Sequence, residues 1–134
     1  MVNPGNIQKI MSKSVSKPIK QSEVITQAYF TFLNKHIADV INGDAPHFME
    51  LNQIAAAMFV SHAHLTATIQ QTMGHHPCHF YDGKIIDAAK KMLAETDKPV
   101  AEIANILTYD PSNFSKFFKK ITGQTPGDFR GKIK

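Results

Sequence analysis

The chain has 134 residues, 43% of them hydrophobic, which is typical of one compact domain with a modest core. Its single cysteine, Cys78, excludes an intrachain disulfide, and no apolar run reaches the length of a membrane span. The sequence contains no phosphate loop, nucleophile elbow or zinc-protease motif. We therefore expect a soluble, cytoplasmic protein that is not an enzyme and carries no cofactor.

The net charge of +4 is unevenly distributed along the chain. Residues 1–22 carry four lysines and no acid, and residues 23–97 carry four cations against eight acids. Residues 98–134 carry seven cations against three acids. Basic regions of this kind suit a polyanion such as DNA. An ordinary solvated surface explains the same charges equally well, so charge alone does not decide the function.

Helical spacing of apolar residues predicts helices along most of the chain. Residues 1–21 are polar and predict a flexible basic N-terminal arm. Ser22 is the expected N-cap of the first helix, which the turn residues Asn42-Gly43-Asp44 end. Further helices are expected in a first unit over about 45–76, a linker helix over about 77–95 and a second unit over about 99–132. No stretch alternates with the period of a strand, so the sequence predicts an all-α fold of about seven helices.

An internal repeat relates the two units, because residues 54–80 align without a gap with residues 103–129. Ser61 and Asp110 align as caps of the second helix in each unit. Each unit therefore has the form of a helix-turn-helix, with a turn of three or four residues. A linker of about 19 residues is roughly 28 Å long, on the scale of the about 34 Å between successive major grooves on one face of DNA. The identical pairs are Ile54 and Ile103, Ala55 and Ala104, Gly74 and Gly123, Pro77 and Pro126, and Phe80 and Phe129.

The segment from about Ala45 to Arg130 resembles the DNA-binding domain of AraC/XylS-type bacterial transcription regulators. The first unit and linker carry Ile54-Ala55, Ser61, His64-Leu65, Ala89 and Met92-Leu93. The second unit matches more closely, through Pro99-Val100-Ala101-Glu102-Ile103-Ala104, Tyr109-Asp110-Pro111-Ser112-Asn113-Phe114-Ser115-Lys116, Phe118-Lys119-Lys120 and Gly123-Gln124-Thr125-Pro126-Gly127-Asp128-Phe129-Arg130.

The resemblance implies a seven-helix domain of homeodomain-like architecture, with two helix-turn-helix subdomains that read two successive major grooves of double-stranded DNA. It implies a stand-alone form that binds DNA as a monomer, with RNA polymerase as a candidate partner. Several positions depart from the family pattern. The turn position that is usually glycine is Phe59 or Thr108, the second unit lacks one residue before Asp110, and a usual linker arginine is Ile85. The first recognition helix, residues 61–73, contains no lysine or arginine.

The second unit supplies the stronger candidates for DNA contact. The helix after Asp110 is expected to turn an apolar stripe inward, consisting of Phe114, Phe117, Phe118 and Ile121. Its opposite face presents Ser112, Asn113, Ser115, Lys116, Lys119 and Lys120. Lys116 is the candidate for a guanine edge and Asn113 for adenine, whereas Lys119 and Lys120 are expected to contact phosphates.

The first unit has candidates without charge. Leu65 and Ile69 are expected to face the core, which leaves Ser61, His62, Ala63, Thr66, Ala67 and Gln70 outside. Gln70 suits an adenine edge, and the alanines suit a thymine methyl group. Without cations this helix gains little from counterion release. Two interpretations stay open: the first unit reads DNA weakly or selectively, or it has lost DNA contact and supports the fold or binds another protein.

A cluster of candidate metal ligands, His75, His76, Cys78 and His79, lies within five residues. The short loop makes tetrahedral ligation by such close neighbours awkward. In the repeat, Cys78 and His79 align with Gly127 and Asp128 at an ordinary helix start. We therefore favour a polar loop with a small, partly buried cysteine and expect no metal.

The sequence thus predicts a sequence-specific DNA-binding transcription regulator. The alternative is a degenerate helix-turn-helix interaction module or adaptor. Such a module binds another regulator or RNA polymerase and holds DNA weakly, without sequence preference.

Overall fold

The computed structural model describes residues 20–134, so the predicted basic arm of residues 1–21 lies outside the described residues except at its last two positions. Within this range the chain forms seven α-helices and no strand, which confirms the predicted all-α fold. The helices are α1 (Gln21–Asn42), α2 (Leu51–Ala57), α3 (His62–Met73), α4 (Pro77–Glu95), α5 (Val100–Ile106), α6 (Pro111–Thr122) and α7 (Pro126–Ile133). None of these helices is long and apolar enough to span a bilayer.

The prediction that Ser22 is the N-cap of α1 is wrong. Lys20 occupies the N-cap position, and no side chain caps the helix. The carbonyl oxygen of Lys20 already accepts the backbone N–H groups of Glu23 and Val24. Ser22 therefore lies inside the first turn, where its carbonyl oxygen accepts the hydroxyl of Thr26 at 2.7 Å.

α1 packs against the side of α3 that faces the core of the first unit. Its buried side chains include Ile25, Tyr29, Leu33 and Ile37. The hydroxyl of Tyr29 donates to the carbonyl oxygen of Pro77 at 2.9 Å, which ties α1 to the start of α4. The hydroxyls of Thr26 and Thr72 lie 2.7 Å apart and join α1 to the last turn of α3.

The linker helix α4 is shared by two apolar clusters, one for each unit. Ile85 packs into the first cluster and Ile86 into the second, both almost fully buried. Phe117 and Tyr109 contact both clusters, so the two units form one continuous core. Burial of Ile85 explains why an apolar side chain is accommodated where the family usually has arginine.

The ends of the recognition helices follow the predicted repeat. Ser61 Oγ accepts the N–H of His64 at 3.0 Å, and a carboxylate oxygen of Asp110 accepts the N–H groups of the first turn of α6. Gly74 and Gly123 end α3 and α6 in the left-handed conformation, with φ of 78° and 85°. A glycine is favoured there because a Cβ strains that conformation.

The second unit departs from the prediction at the end of α6. Ile121 is 42% exposed, so its assignment to the inward stripe is wrong. Phe129 of α7 packs edge-on against Phe118, with ring centroids 5.7 Å apart, and already covers this end of the cluster. Arg130 then holds α7 against the end of α4, donating to the carbonyl oxygens of Leu93 at 3.1 Å and Lys98 at 2.6 Å.

The turn of each unit is a Schellman motif with a non-glycine residue in the left-handed position. Val60 N–H donates to the carbonyl oxygen of Ala55, and Tyr109 N–H donates to that of Ala104. Between them lie Phe59 and Thr108, with φ of 62° and 63°. These are the two positions at which the family usually has glycine, and each side chain carries backbone strain there. Phe59 is 95% exposed, so no packing compensates for its strain.

Phe59→Gly is therefore expected to raise the free energy of unfolding by about 1 kcal/mol, because the strain exceeds the entropy that glycine adds to the unfolded chain. Urea unfolding followed by circular dichroism measures the change. Ala56→Gly, at an exposed position inside α2, is the matched control and should lower stability by about 1 kcal/mol. Equal losses in both variants would show that position 59 carries no strain.

His36 makes the fold sensitive to acid. It is 7% exposed, and its Nε2 accepts the backbone N–H of Met49 at 2.9 Å, which requires an unprotonated nitrogen. Burial lowers the pKa of His36, and the charge of Asp39 opposes that shift only in part. A histidine whose pKa falls on folding stabilises the native state above its unfolded pKa of about 6.5, and this contribution is lost as the pH falls.

We expect the free energy of unfolding to decrease between pH 7.5 and pH 5, and His36→Gln to be less stable at pH 7.5 but less sensitive to acid. Urea unfolding across that pH range measures both quantities. His64→Gln, which removes an exposed histidine on another helix, should leave the pH dependence of the wild type unchanged. An acid sensitivity that persists in His36→Gln would assign it to another group.

Candidate nucleic-acid interface

α6 starts on a tightly hydrogen-bonded cap. The Oδ2 atom of Asp110 accepts the hydroxyl of Ser112 at 2.6 Å and the backbone N–H groups of Ser112 and Asn113 at 3.1 and 3.3 Å. These bonds, the Ser112 hydroxyl first, lower the pKa of the exposed Asp110 carboxyl. The cap fixes the orientation of the first turn, and it engages the Ser112 hydroxyl proton that base recognition would otherwise use.

The outer face of α6 is polar and basic. Phe114 and Phe118 are fully buried, and Phe117 is half-buried and stacks on Tyr109 with ring centroids 5.4 Å apart. The residues on the opposite side are exposed: Ser112, Asn113, Lys116, Lys119 and Lys120. Ser115 is half-buried, so it is less accessible to a partner than the sequence suggests. Three lysines on one exposed face provide the positive charge that a phosphate backbone attracts.

Lys120 lies at the edge of this face, close to the linker helix. Burial raises the pKa of Asp82 on α4, and the positive charge of Lys120 acts against that shift. Lys116 likewise has an acidic neighbour, because its charge contributes to lowering the pKa of Asp110. None of the three lysines makes an ion pair among residues 20–134, so all three are available to an external anion.

The outer face of α3 is polar but carries no lysine or arginine. Ser61, His62, Ala63, Ala67 and Gln70 are exposed, and Thr66 is half-buried. Ser61 is engaged as the N-cap, which leaves its hydroxyl proton free to donate. The inner face packs on α1 and α2 through Leu65 and Ile69, both fully buried. The helix is thus as well supported as α6 and differs from it in charge.

The histidine and cysteine side chains around Pro77 have separate structural roles. His76 Nδ1 accepts the N–H of Cys78 at 3.0 Å and caps α4, while His75 and His79 stack with ring centroids 4.2 Å apart. Burial raises the pKa of the half-buried Cys78 thiol, which disfavours the reactive thiolate. Within residues 20–134 no group of three or more histidine, cysteine or acidic side chains is arranged to hold a metal ion.

A groove of about 810 Å³ between α1 and the segment around α2 was not anticipated from the sequence. Its apolar walls include Val24, Ala28, Phe32, Met49 and Met58. Apolar spacing along α1 predicts only that these residues share a helix, and not that Val24 and Ala28 remain exposed. The groove lies on the side of α1 that faces away from α3.

Comparison with known proteins agrees with this geometry. A helix-turn-helix domain family matches residues 54–132. A putative AraC-like transcription regulator from Streptomyces antibioticus is 28% identical over 110 residues, which cover 81% of this chain and 34% of that protein. The chain belongs to the AraC-type helix-turn-helix family.

Two further similar proteins extend the comparison. An uncharacterised HTH-type transcriptional regulator, YtdP, from Bacillus subtilis (strain 168) is 31% identical over 104 residues, covering 77% of this chain and 14% of YtdP. The C-terminal domain of AraT, a response regulator from Geobacillus stearothermophilus, superposes with a TM-score of 0.71 and 25% identity, covering 84% of this chain and 88% of that domain. The chain spans between 14% and 40% of the length of the curated relatives it matches.

Lys116→Ala is expected to weaken binding to a specific DNA site by about 1–3 kcal/mol, because it removes the ammonium group that is expected to donate to a base edge. Fluorescence anisotropy with specific and scrambled duplexes measures the loss and its selectivity. Lys132→Ala, which removes an exposed lysine of α7, is the matched control. A loss of equal size on both duplexes would reassign Lys116 to a phosphate contact.

Proposed function

We propose that this protein is a sequence-specific transcription regulator that reads two successive major grooves of double-stranded DNA. The observation that carries the proposal is the repeated presentation of an exposed recognition helix. α3 and α6 start on side-chain caps, end on left-handed glycines and bury equivalent apolar residues. Between them lies the 19-residue α4, whose length of roughly 28 Å suits the spacing of two grooves.

The two helices have different roles in this proposal. α6 anchors the complex, with Lys116 and Asn113 at base edges and Lys119 at phosphate. α3 contributes Gln70 and the small side chains Ala63 and Ala67, which suit adenine and thymine methyl groups. Without lysine or arginine, α3 adds selectivity more than affinity at neutral pH.

We further propose that one copy occupies one site as a monomer, since both recognition helices belong to the same chain. The first unit is assigned to about 45–76, the linker helix to about 77–95 and the second unit to about 99–132. A regulator of this kind meets its DNA in the bacterial cytoplasm, and RNA polymerase is the candidate protein partner. The exposed groove beside α1 offers a surface for such a contact that does not compete with α3.

A second candidate function rests on the same groove and on the uncharged face of α3. If the first unit binds another protein rather than DNA, the chain is an adaptor that the second unit attaches to DNA. The 95% exposed Phe59, next to the groove residue Met58, favours this alternative. It predicts weak DNA binding without sequence preference.

Selection of binding sites from a random DNA pool, followed by hydroxyl-radical footprinting, tests the proposal. We expect an asymmetric site of about two helical turns, preferred by about 10³-fold or more over scrambled DNA. A one-turn site would leave the second unit as the only reader of DNA. Absence of any enriched sequence, with only salt-dependent binding, would overturn sequence-specific regulation and favour the adaptor function.

A further inference from the structure

The histidines of this chain are confined to one region that contains no other cation. All seven lie between residues 36 and 79, whereas all 15 lysines and arginines lie outside residues 36–83. The first unit, over about 45–76, therefore has Glu50 as its only fixed charge. Its positive charge depends on imidazole groups, which carry a charge only when they are protonated.

Three of the seven histidines are committed to the fold or lie elsewhere. His36 is buried and accepts a backbone N–H through Nε2. His76 caps α4 through Nδ1. His47 lies in the loop before α2, with its Nδ1 3.2 Å from the carbonyl oxygen of Phe48.

The other four histidines are exposed at the two ends of the first recognition helix. His62 and His64 lie in the first turn of α3, and neither ring makes a hydrogen bond among the described residues. His75 and His79 follow its C-terminal end, where their rings stack at 4.2 Å with an angle of 19° between planes. Both pairs are open to solvent and accessible to the phosphates of a bound DNA duplex.

We propose that His62, His64, His75 and His79 are the phosphate-binding cations of the first unit, so that their protonation recruits α3 to the DNA. This inference rests on the proposed function and adds its regulation. At high pH the second unit provides most of the affinity for DNA, and the first unit contributes weakly. At mildly acidic pH four imidazolium groups take the role that lysines have in the second unit.

Local charges explain why protonation and DNA binding are coupled. A phosphate close to an imidazole favours the imidazolium form. DNA binding therefore takes up protons, and a lower pH favours binding by the same linkage.

Other ionisable groups on the elements packed against α3 modulate this behaviour without replacing it. α1 carries Glu23, Lys35 and Asp39, of which the last two form an ion pair at 2.9 Å. Glu50 precedes α2. On α4, Asp82 interacts with His79 and also with Lys120 of α6, and Lys84 donates to Asn34 on α1.

The experiment measures affinity for two duplexes between pH 8.0 and pH 5.5 by fluorescence anisotropy. One is the selected two-turn site, and the other retains only the half bound by α6. A nearby phosphate typically favours a cation by about one pKa unit, which is about tenfold in affinity for each histidine that binds. We expect the two-turn site to gain about tenfold or more at pH 5.5, while the half site changes little.

The salt dependence identifies the kind of interaction. The slope of log affinity against log salt should steepen on the two-turn site by about 0.9 for each additional phosphate that a histidine neutralises. Circular dichroism at each pH verifies that the acid sensitivity of His36 has not unfolded the protein. Protection of the groove bound by α3 should increase from pH 8.0 to pH 5.5, while protection of the groove bound by α6 should stay constant.

Two variants separate the role of these histidines from general acid effects. His62→Gln with His64→Gln should flatten the pH dependence, whereas the control His47→Gln should preserve it. His62→Lys with His64→Lys should bind the two-turn site tightly even at pH 8.0. Specific binding that is independent of pH, or unchanged in the glutamine variant, would overturn this inference alone. Absence of specific binding at every pH would instead overturn the proposed function.

Discussion

The structure depends on the burial of α4 against both units at once. Neighbouring residues of this helix, Ile85 and Ile86, enter different apolar clusters, and Phe117 and Tyr109 contact both. A helix held on two sides cannot rotate without exposing one cluster, so the orientation of one recognition helix is linked to that of the other. Tyr29 fastens the start of α4 to α1, and Arg130 fastens its end to α7. The spacing between α3 and α6 is therefore a property of the core and not of a flexible connection.

The internal repeat explains how much of this arrangement can be predicted from the sequence. Caps and left-handed glycines act locally, so Ser61, Asp110, Gly74 and Gly123 could be assigned from residue type and spacing. Features that depend on distant partners could not. Ile121 has the spacing of a core residue but is 42% exposed, whereas Phe129 of another helix packs against Phe118. The bonds of Arg130 to Leu93 and Lys98 cross more than 30 residues and leave no periodic signal. In the interface, exposure on α6 follows from its phenylalanine stripe, whereas the engagement of the Ser112 hydroxyl by Asp110 required coordinates.

The two turns carry a constraint of a different kind. A Schellman motif needs one residue in the left-handed region, and both units place a side chain there instead of glycine. Thr108 is small and polar, whereas Phe59 is a large apolar group with 95% of its surface exposed. A strained and solvated phenylalanine is unfavourable twice, through its backbone and through its hydration. Phe59 follows Met58, which lines the groove along α1. This proximity is the reason to regard this face as a contact surface.

Charge, rather than fold, distinguishes the two recognition helices. Both are capped, buried on one face and open on the other, but α6 carries permanent cations and α3 carries imidazoles. A lysine contributes to phosphate binding at any physiological pH, but it raises the affinity for every DNA sequence alike. An imidazole contributes only when a proton and a phosphate are present together. In the proposed complex, the lysines of one helix are a constant anchor and the histidines of the other a conditional second contact. This division is consistent with the neutral outer face of α3, which would otherwise be a well-built recognition helix with little to hold it to DNA.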